Sequence, residues 1–508
     1  MKADFAGRRA GPGGPAQPFV TAALALLSAA AVLFVQHQGW TLYYGDADAH
    51  LMIARRILDS QTPGFEQIGL GWLPLLHLLT LPLVRVDAWW RNGMAGAIPP
   101  AICFVFGGSF FFAAARRIFD STAAALAAVA LFAINPNILY LQSIPMTEMV
   151  FFASLAALLY FTVRFGQTQG WLSAAAAGIA ACAGALTRYE GWFVLPFAAV
   201  YFAAVARRRR VIVTLLFCLL AGLGPLAWLG YNWWMTGDCL DFIRGPYSPS
   251  GIQGAATYPG LHDWGLAWLH FRTAVQLCAG PGLAGLGLAG IAACLFKRVF
   301  WPLLLLALPA LFYIINVHSG ASPINMPSLW PHTYYNVRYG AAALPLLALA
   351  AGGLVTLIPR RMRAAAAAFA ILASMAWWLV HPRPAAWAVF EEARINNAAG
   401  RERIRQAAEY LGPRYARGAG IITSYYPLTA IFREMGLPLR DTLMGDNTLP
   451  WLAAVERPEF FLTQGWAIVE GGDRVQTAID RLGLVGARYK LEKQIIVGNQ
   501  PVIEIYRR

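Results

Sequence analysis

Apolar residues along this chain run in blocks of about 17–25, the length an α-helix needs to cross a bilayer. Charged residues punctuate the blocks rather than alternating within them. The pattern predicts eleven spanning helices, at 18–36, 93–115, 122–139, 148–165, 171–187, 191–206, 211–231, 280–296, 299–316, 338–358 and 364–380. Between the first two lies a polar external loop, 37–92, whose one apolar stretch, 70–84, is interrupted by Pro74, His77 and Pro82. Such a stretch predicts an interfacial or re-entrant segment rather than a span. The first span follows a short basic leader (Lys2, Arg8, Arg9), but further spans follow it, so a retained helix is expected rather than a cleaved signal.

The pattern changes at 384. Charged residues become frequent, and short strand-like runs appear at 421–423 and 460–462, with a helix-like stretch at 475–482. Two alternating strands flank a Gly498-Asn499 turn. The chain therefore divides into a transmembrane domain, 1–383, and a small α/β domain, 384–508, of ordinary domain size.

Composition sharpens this picture. The chain has 508 residues, 58% of them hydrophobic and only 13% charged, too few charges to cover a soluble protein of this length. Its net charge of +14 is carried by short clusters: Arg116-Arg117, Arg207 to Arg210, Lys297-Arg298, and Arg360, Arg361 and Arg363. Each cluster falls between spans, where it sets topology by staying cytoplasmic. A nucleic-acid partner would call for one continuous basic surface instead, so none is expected. With the clusters inside and an odd number of spans, the C-terminal domain is extracytoplasmic. The six cysteines lie mostly inside apolar runs without metal-ligand spacing; Cys239 and Cys278 are the two placed to meet an oxidising compartment.

Five polar motifs fall on the outer side of this topology. The first is YYGDADAH, 43–50, where Asp46 and Asp48 open a helix with Ile53 and Ile57 on one face. One aspartate suits an N-cap; the second, and His50, are surplus to that need. The chemical alternative is a carboxylate that takes a proton from an attacking hydroxyl, beside one that holds a divalent cation. The second motif places Pro145, Thr147 and Glu148 at the start of the fourth span, where an acid is costly without a task. The third, LTRYEGW, holds Arg188 and Glu190, which suit either a structural ion pair or a ligand site. The fourth, YNWWMTGDCLDF, contains Asp238. The fifth, HTYYNVRYG, contains Asn336, Arg338 and Tyr339. An arginine on the outer side breaks the inside-positive pattern, and its fork suits a phosphate. Trp72, Trp233, Trp234, Trp330 and Tyr335 read as interfacial anchors or stacking platforms.

These motifs resemble the GT-C fold glycosyltransferases, in the branch that includes protein O-mannosyltransferases and the aminoarabinose transferase acting on lipid A. The resemblance rests on Asp46 before a juxtamembrane helix, the stretch GLGWLPLLHLL, and Pro145-Met146-Thr147-Glu148. It extends to Tyr231, Asn232, Gly237, Asp238 and Phe242, and to Asn336, Arg338 and Tyr339. It covers 1–380. Protein O-mannosyltransferases carry Asp-Glu where this chain has Asp46-Ala47, which leaves both the acceptor class and the use of a metal open.

The resemblance implies a multi-pass protein of the inner cell membrane. It implies transfer of a monosaccharide from a polyprenyl-phosphate donor to a hydroxyl of a glycan, lipid or protein, with inversion. Asp46 is then the base, and Arg338, Arg188 and Tyr339 hold the phosphate. Asp48, His50, Glu148, Glu190, Asn336 and Asp238 support them, with Asp48 and Glu148 the candidate ligands of a Mg or Mn ion. The rival reading, a transporter or lipid-linked-sugar flippase, calls for ionisable residues at mid-membrane and repeated broken helices. The centres of these spans are nearly free of charge.

Overall fold

A computed structural model describes residues 15–254, 256–320, 322–424, 426–484, 486 and 489–508. The basic leader residues Lys2, Arg8 and Arg9 lie outside the described residues. The chain forms two compact units. One comprises the segment up to Gln38 together with Leu70–Leu76 and Pro99–Glu392; the other comprises Gly39–Gly69, His77–Ile98 and Ala393–Arg508.

The first unit is helical. Among the described residues, eight helices are long and apolar enough to cross a membrane: Ala16–His37, Met94–Phe119, Glu148–Thr168, Arg210–Thr236, Trp264–Phe296, Phe300–Ser319, Val337–Leu357 and Arg360–Val380. Three expected spans are shorter helices, Thr122–Ala133, Trp171–Ala185 and Tyr189–Val205. At 12 to 17 residues these measure about 18–26 Å, less than a ~30 Å hydrocarbon core. Asn135 ends the first of them early: its side chain caps the turn Pro136–Leu141 by accepting from the Asn137 N–H. Helix Trp264–Phe296 starts well before the expected 280, because Asp263 caps it from the loop and a break at Gly280 divides it. Leu219, Leu223 and Phe369 are exposed, as lipid-facing side chains are. Helices meet through small residues: a Cβ on Gly290 would stand 2.1 Å from the Ala350 carbonyl oxygen, and one on Gly340 2.3 Å from the Ala274 carbonyl carbon. The apolar stretch at 70–84 yields only helix Leu75–Thr80, about 9 Å long and far short of a span.

The second unit is built on a five-stranded sheet: β1 (Ile421–Thr423), β2 (Thr442–Leu443), β3 (Trp466–Glu470), β4 (Lys490–Ile495) and β5 (Ile503–Arg507). The order is β2-β1-β3-β5-β4. Strands β1, β2 and β3 run parallel, with Ile421 opposite both Thr442 and Trp466, whereas β5 runs antiparallel to β3 and to β4. Side chains alternate across the sheet. Ile421, Ile468 and Ile505 enter one core with Leu51, Met52, Trp90, Ile404 and Leu411. Ile422, Ala467 and Val469 enter another with Trp451, Val475 and Leu482. Helix Gly45–Arg56, which carries the paired aspartates, is thus anchored by Leu51 and Met52 in the same core as the C-terminal strands.

One expectation needs correction here. Residues 460–462 are not a strand: Pro458 starts a helical turn, Pro458–Phe461, and Phe460 and Phe461 are exposed where a central strand would bury them. All six cysteines are free, Cys239 and Cys278 among them.

Candidate active site

Three motifs separated by up to 191 positions meet in the first unit. Glu148 opens helix Glu148–Thr168, where an acid complements the helix N-terminus, and its carboxylate Oε1 lies 3.1 Å from both Arg188 Nη1 and Arg338 Nε. Arg188 precedes helix Tyr189–Val205 in extended backbone. Its Nε donates to Glu190 Oε1 at 2.7 Å, its Nη1 donates to the Thr147 hydroxyl and to Glu148, and its Nη2 donates to the Tyr313 hydroxyl. Four of the five N–H donors of a guanidinium are thereby engaged within the protein. The Tyr313 hydroxyl donates in turn to Glu190 Oε1. Its ring stacks on Tyr339, with centroids 4.3 Å apart, and the Arg188 and Arg338 guanidinium carbons stand 5.6 and 5.2 Å from the Tyr339 centroid. Side-chain exposure is 12% for Arg188, 7% for Arg338 and 5% for each glutamate. Two cations and two anions balance inside an apolar bundle.

Neighbouring residues hold this cluster in place. Asn336 adopts φ +56, a left-handed conformation that asparagine tolerates, and leads into the 3₁₀ helix Val337–Ala343 that bears Arg338 and Tyr339. The Glu392 carboxylate accepts the exposed N–H groups of Asn336 (2.6 Å) and Val337 (2.9 Å). The fourth motif joins through aromatic packing. Phe242 stacks on Tyr189 at 5.2 Å, and Trp228 donates its indole N–H to the Tyr189 hydroxyl. Asn232 is fully buried and donates to the Trp228 carbonyl. Asp238 instead accepts from the Leu240 N–H and from Arg244, which together hold its carboxyl below the usual range in an exposed turn. Sequence reasoning missed Tyr313 and Glu392. Tyr313 had one available signal: it is the only tyrosine inside the expected 299–316 span.

The first motif belongs to the second unit. Its helix starts after Tyr44, which makes no side-chain cap bond, so neither aspartate is the N-cap. Asp48 is paired: its Oδ1 accepts from Arg433 Nε at 3.0 Å, and Arg433 also donates to the Arg91 carbonyl. Asp46 is partly exposed in the first turn. His50 is buried, with its Nδ1 2.9 Å from Nε2 of the fully buried His77. Burial, then His50, then Arg56 hold the His77 imidazole well below its ordinary range. Arg56 itself pairs with Asp446 and donates to the Gln67 carbonyl.

Both acids expected to ligate a cation are paired with arginines. Asp48 faces one guanidinium and Glu148 faces two. Among the described residues, no three His, Cys, Asp or Glu side chains gather to hold a metal.

Residues 90–234 match the family described as dolichyl-phosphate-mannose-protein mannosyltransferase. No curated protein matches the chain in sequence. The crystal structure of ArnT from Cupriavidus metallidurans bound to undecaprenyl phosphate superimposes with a TM-score of 0.60 at 13% identity, covering 95% of this chain and 97% of that one. This is the ArnT-like GT-C fold. The apo form of the same ArnT gives a TM-score of 0.54 at 12% identity over the same shares. Within this chain the matched region, 90–234, contains Glu148, Arg188 and Glu190, whereas Tyr313, Arg338 and Tyr339 lie beyond it.

Proposed function

We propose that this chain transfers a monosaccharide from a polyprenyl-phosphate donor to an acceptor hydroxyl at the outer membrane face of the inner cell membrane, with inversion at the anomeric carbon. The observation that carries this reading is the buried cluster of Arg188, Arg338, Glu148 and Glu190, built from the ends of apolar helices in a fold that ArnT presents with undecaprenyl phosphate bound. Membranes supply such a donor, and a guanidinium suits its phosphate.

In this mechanism Asp46 takes the proton of the acceptor hydroxyl as its oxygen attacks the anomeric carbon. The bond from that carbon to the phosphate oxygen breaks, and its electron pair leaves with the polyprenyl phosphate. Arg338 and Tyr339 meet the charge that grows there. Arg188, with most of its donors already engaged, acts as a positioning residue that fixes Glu148 and the tyrosine stack. Guanidinium groups take the role that a divalent cation has in other transferases. The acceptor is a glycan, lipid or protein hydroxyl presented on the extracytoplasmic side, where the C-terminal α/β segment also lies.

The test is Asp46→Asn in membranes supplied with radiolabelled polyprenyl-phosphate sugars. Loss of transfer, with unchanged protein level and unfolding temperature, is the expected result; retained transfer removes Asp46 from the mechanism.

A further inference from the structure

One atom of the cluster stands out chemically. Glu148 Oε1 faces two guanidinium groups, yet Glu148 Oε2 is buried and has no hydrogen-bond partner among the described residues. The residue as a whole is 4% exposed. A buried polar atom without a partner is rare in folded proteins and calls for a reason. Two guanidinium groups pair with the carboxylate at Oε1, and the oxygen of a carboxylate paired in this way accepts hydrogen bonds. The group that completes Oε2 is therefore a donor. A phosphate oxygen cannot serve, because it brings a second negative charge to the carboxylate.

We propose that Glu148 Oε2 is the sugar-reading atom of the site, accepting a hydrogen bond from a hydroxyl or ammonium group on the donor's monosaccharide. This rests on the proposed polyprenyl-phosphate donor and deepens it. The cluster then has two poles: Arg338 and Tyr339 receive the phosphate, and Glu148 receives the sugar. Arg188 holds the carboxylate by its other oxygen, which leaves Oε2 free to turn to the ligand. Sugars with a hydrogen-bond donor at the matching position are selected, and their deoxy analogues are rejected because the buried carboxylate is left unpaired.

The experiment compares two ligand classes on one purified preparation in nanodiscs. Sugar-free undecaprenyl phosphate is titrated alongside undecaprenyl phosphates carrying mannose, glucose or 4-amino-arabinose, for the wild type and for Glu148→Gln. The quantity read is the ratio of sugar-loaded to sugar-free affinity, from which any misfolded fraction cancels. For the sugar that the wild type prefers, Glu148→Gln is expected to lose about ten- to a hundredfold of that ratio, the effect of a hydrogen bond to a charged group. Affinity for sugar-free lipid is expected not to fall, since the Arg338 guanidinium that meets the phosphate keeps its charge and loses a competing carboxylate. A ratio unchanged in the variant overturns the inference, as does a wild type for which no sugar adds affinity. Equal loss for both ligand classes also overturns it, by showing a purely structural glutamate. A wild type that binds none of these lipids overturns the donor assignment itself, a result distinct from the others.

Discussion

Removing Arg188 tests whether the cluster is an electrostatic unit. Methionine in its place keeps most of the volume but removes four donated hydrogen bonds. Glu148 retains Arg338 at 3.1 Å, whereas Glu190 is left with the Tyr313 hydroxyl alone. With its side chain 5% exposed, Glu190 becomes a stranded buried charge, and breaking a buried pair in this way costs roughly 3–5 kcal/mol. At about 2 °C or less per kcal/mol for a long chain, the unfolding midpoint falls by up to about 10 °C. Arg188→Met/Glu190→Gln removes the stranded charge as well, so it should recover at least about half of that loss despite carrying one more substitution. The assay is thermal unfolding of detergent-purified protein at fixed scan rate and lipid content. A double variant no more stable than Arg188→Met would refute the reasoning, because Glu190 would then not be stranded by the loss of its cation.

Two further outcomes follow from the second unit and from the donor chemistry. The depressed His77 imidazole is neutral when folded, while the unfolded chain takes up a proton below about pH 6.5, so stability is complete above that value and is lost as pH falls through it. The slope is at most about 1.4 kcal/mol per pH unit, and His77→Phe should flatten unfolding midpoints measured between pH 5 and 8; an unaltered slope would assign the acid sensitivity elsewhere. Chelation with EDTA should leave sugar transfer unchanged, since Asp48 and Glu148 face guanidinium groups; a loss of transfer restored by Mg or Mn would return a cation to the site.

The spans were legible because lipid imposes a length and an apolar composition that a single sequence displays openly. The convergence of Glu148, Arg188 and Arg338 was legible for a related reason: charged residues at the ends of apolar helices are expensive and stand out. Tyr313 did not stand out, because a tyrosine near a helix end reads equally well as an interfacial anchor. Glu392 was hidden by its surroundings, one acid in the charged run where the composition changes. Least visible was the company kept by Leu51 and Met52. Nothing in a 12-residue amphipathic helix announces that its apolar face closes a core with strands some 370 positions later. The misjudged stretch at 460–462 failed on ordinary ambiguity, since three apolar residues fit a helical turn as well as a strand, and Pro458 was the deciding signal.

The break at Gly280 has a mechanical meaning. Unbroken, a 33-residue helix would be a rod of about 50 Å, too long for the hydrocarbon slab and stiff along its whole length. Gly280, at φ +70 and followed by Pro281, cuts it into two shorter levers just after Cys278. The Cys278 carbonyl lies at this break. The amides of Asn135 and Asn137 both clasp that carbonyl, at 2.8 and 3.0 Å. The elbow is thus tied to the neighbouring Pro136–Leu141 turn, and the Cys278 thiol, donating to the Val337 carbonyl, ties it to the residue next to Arg338 as well.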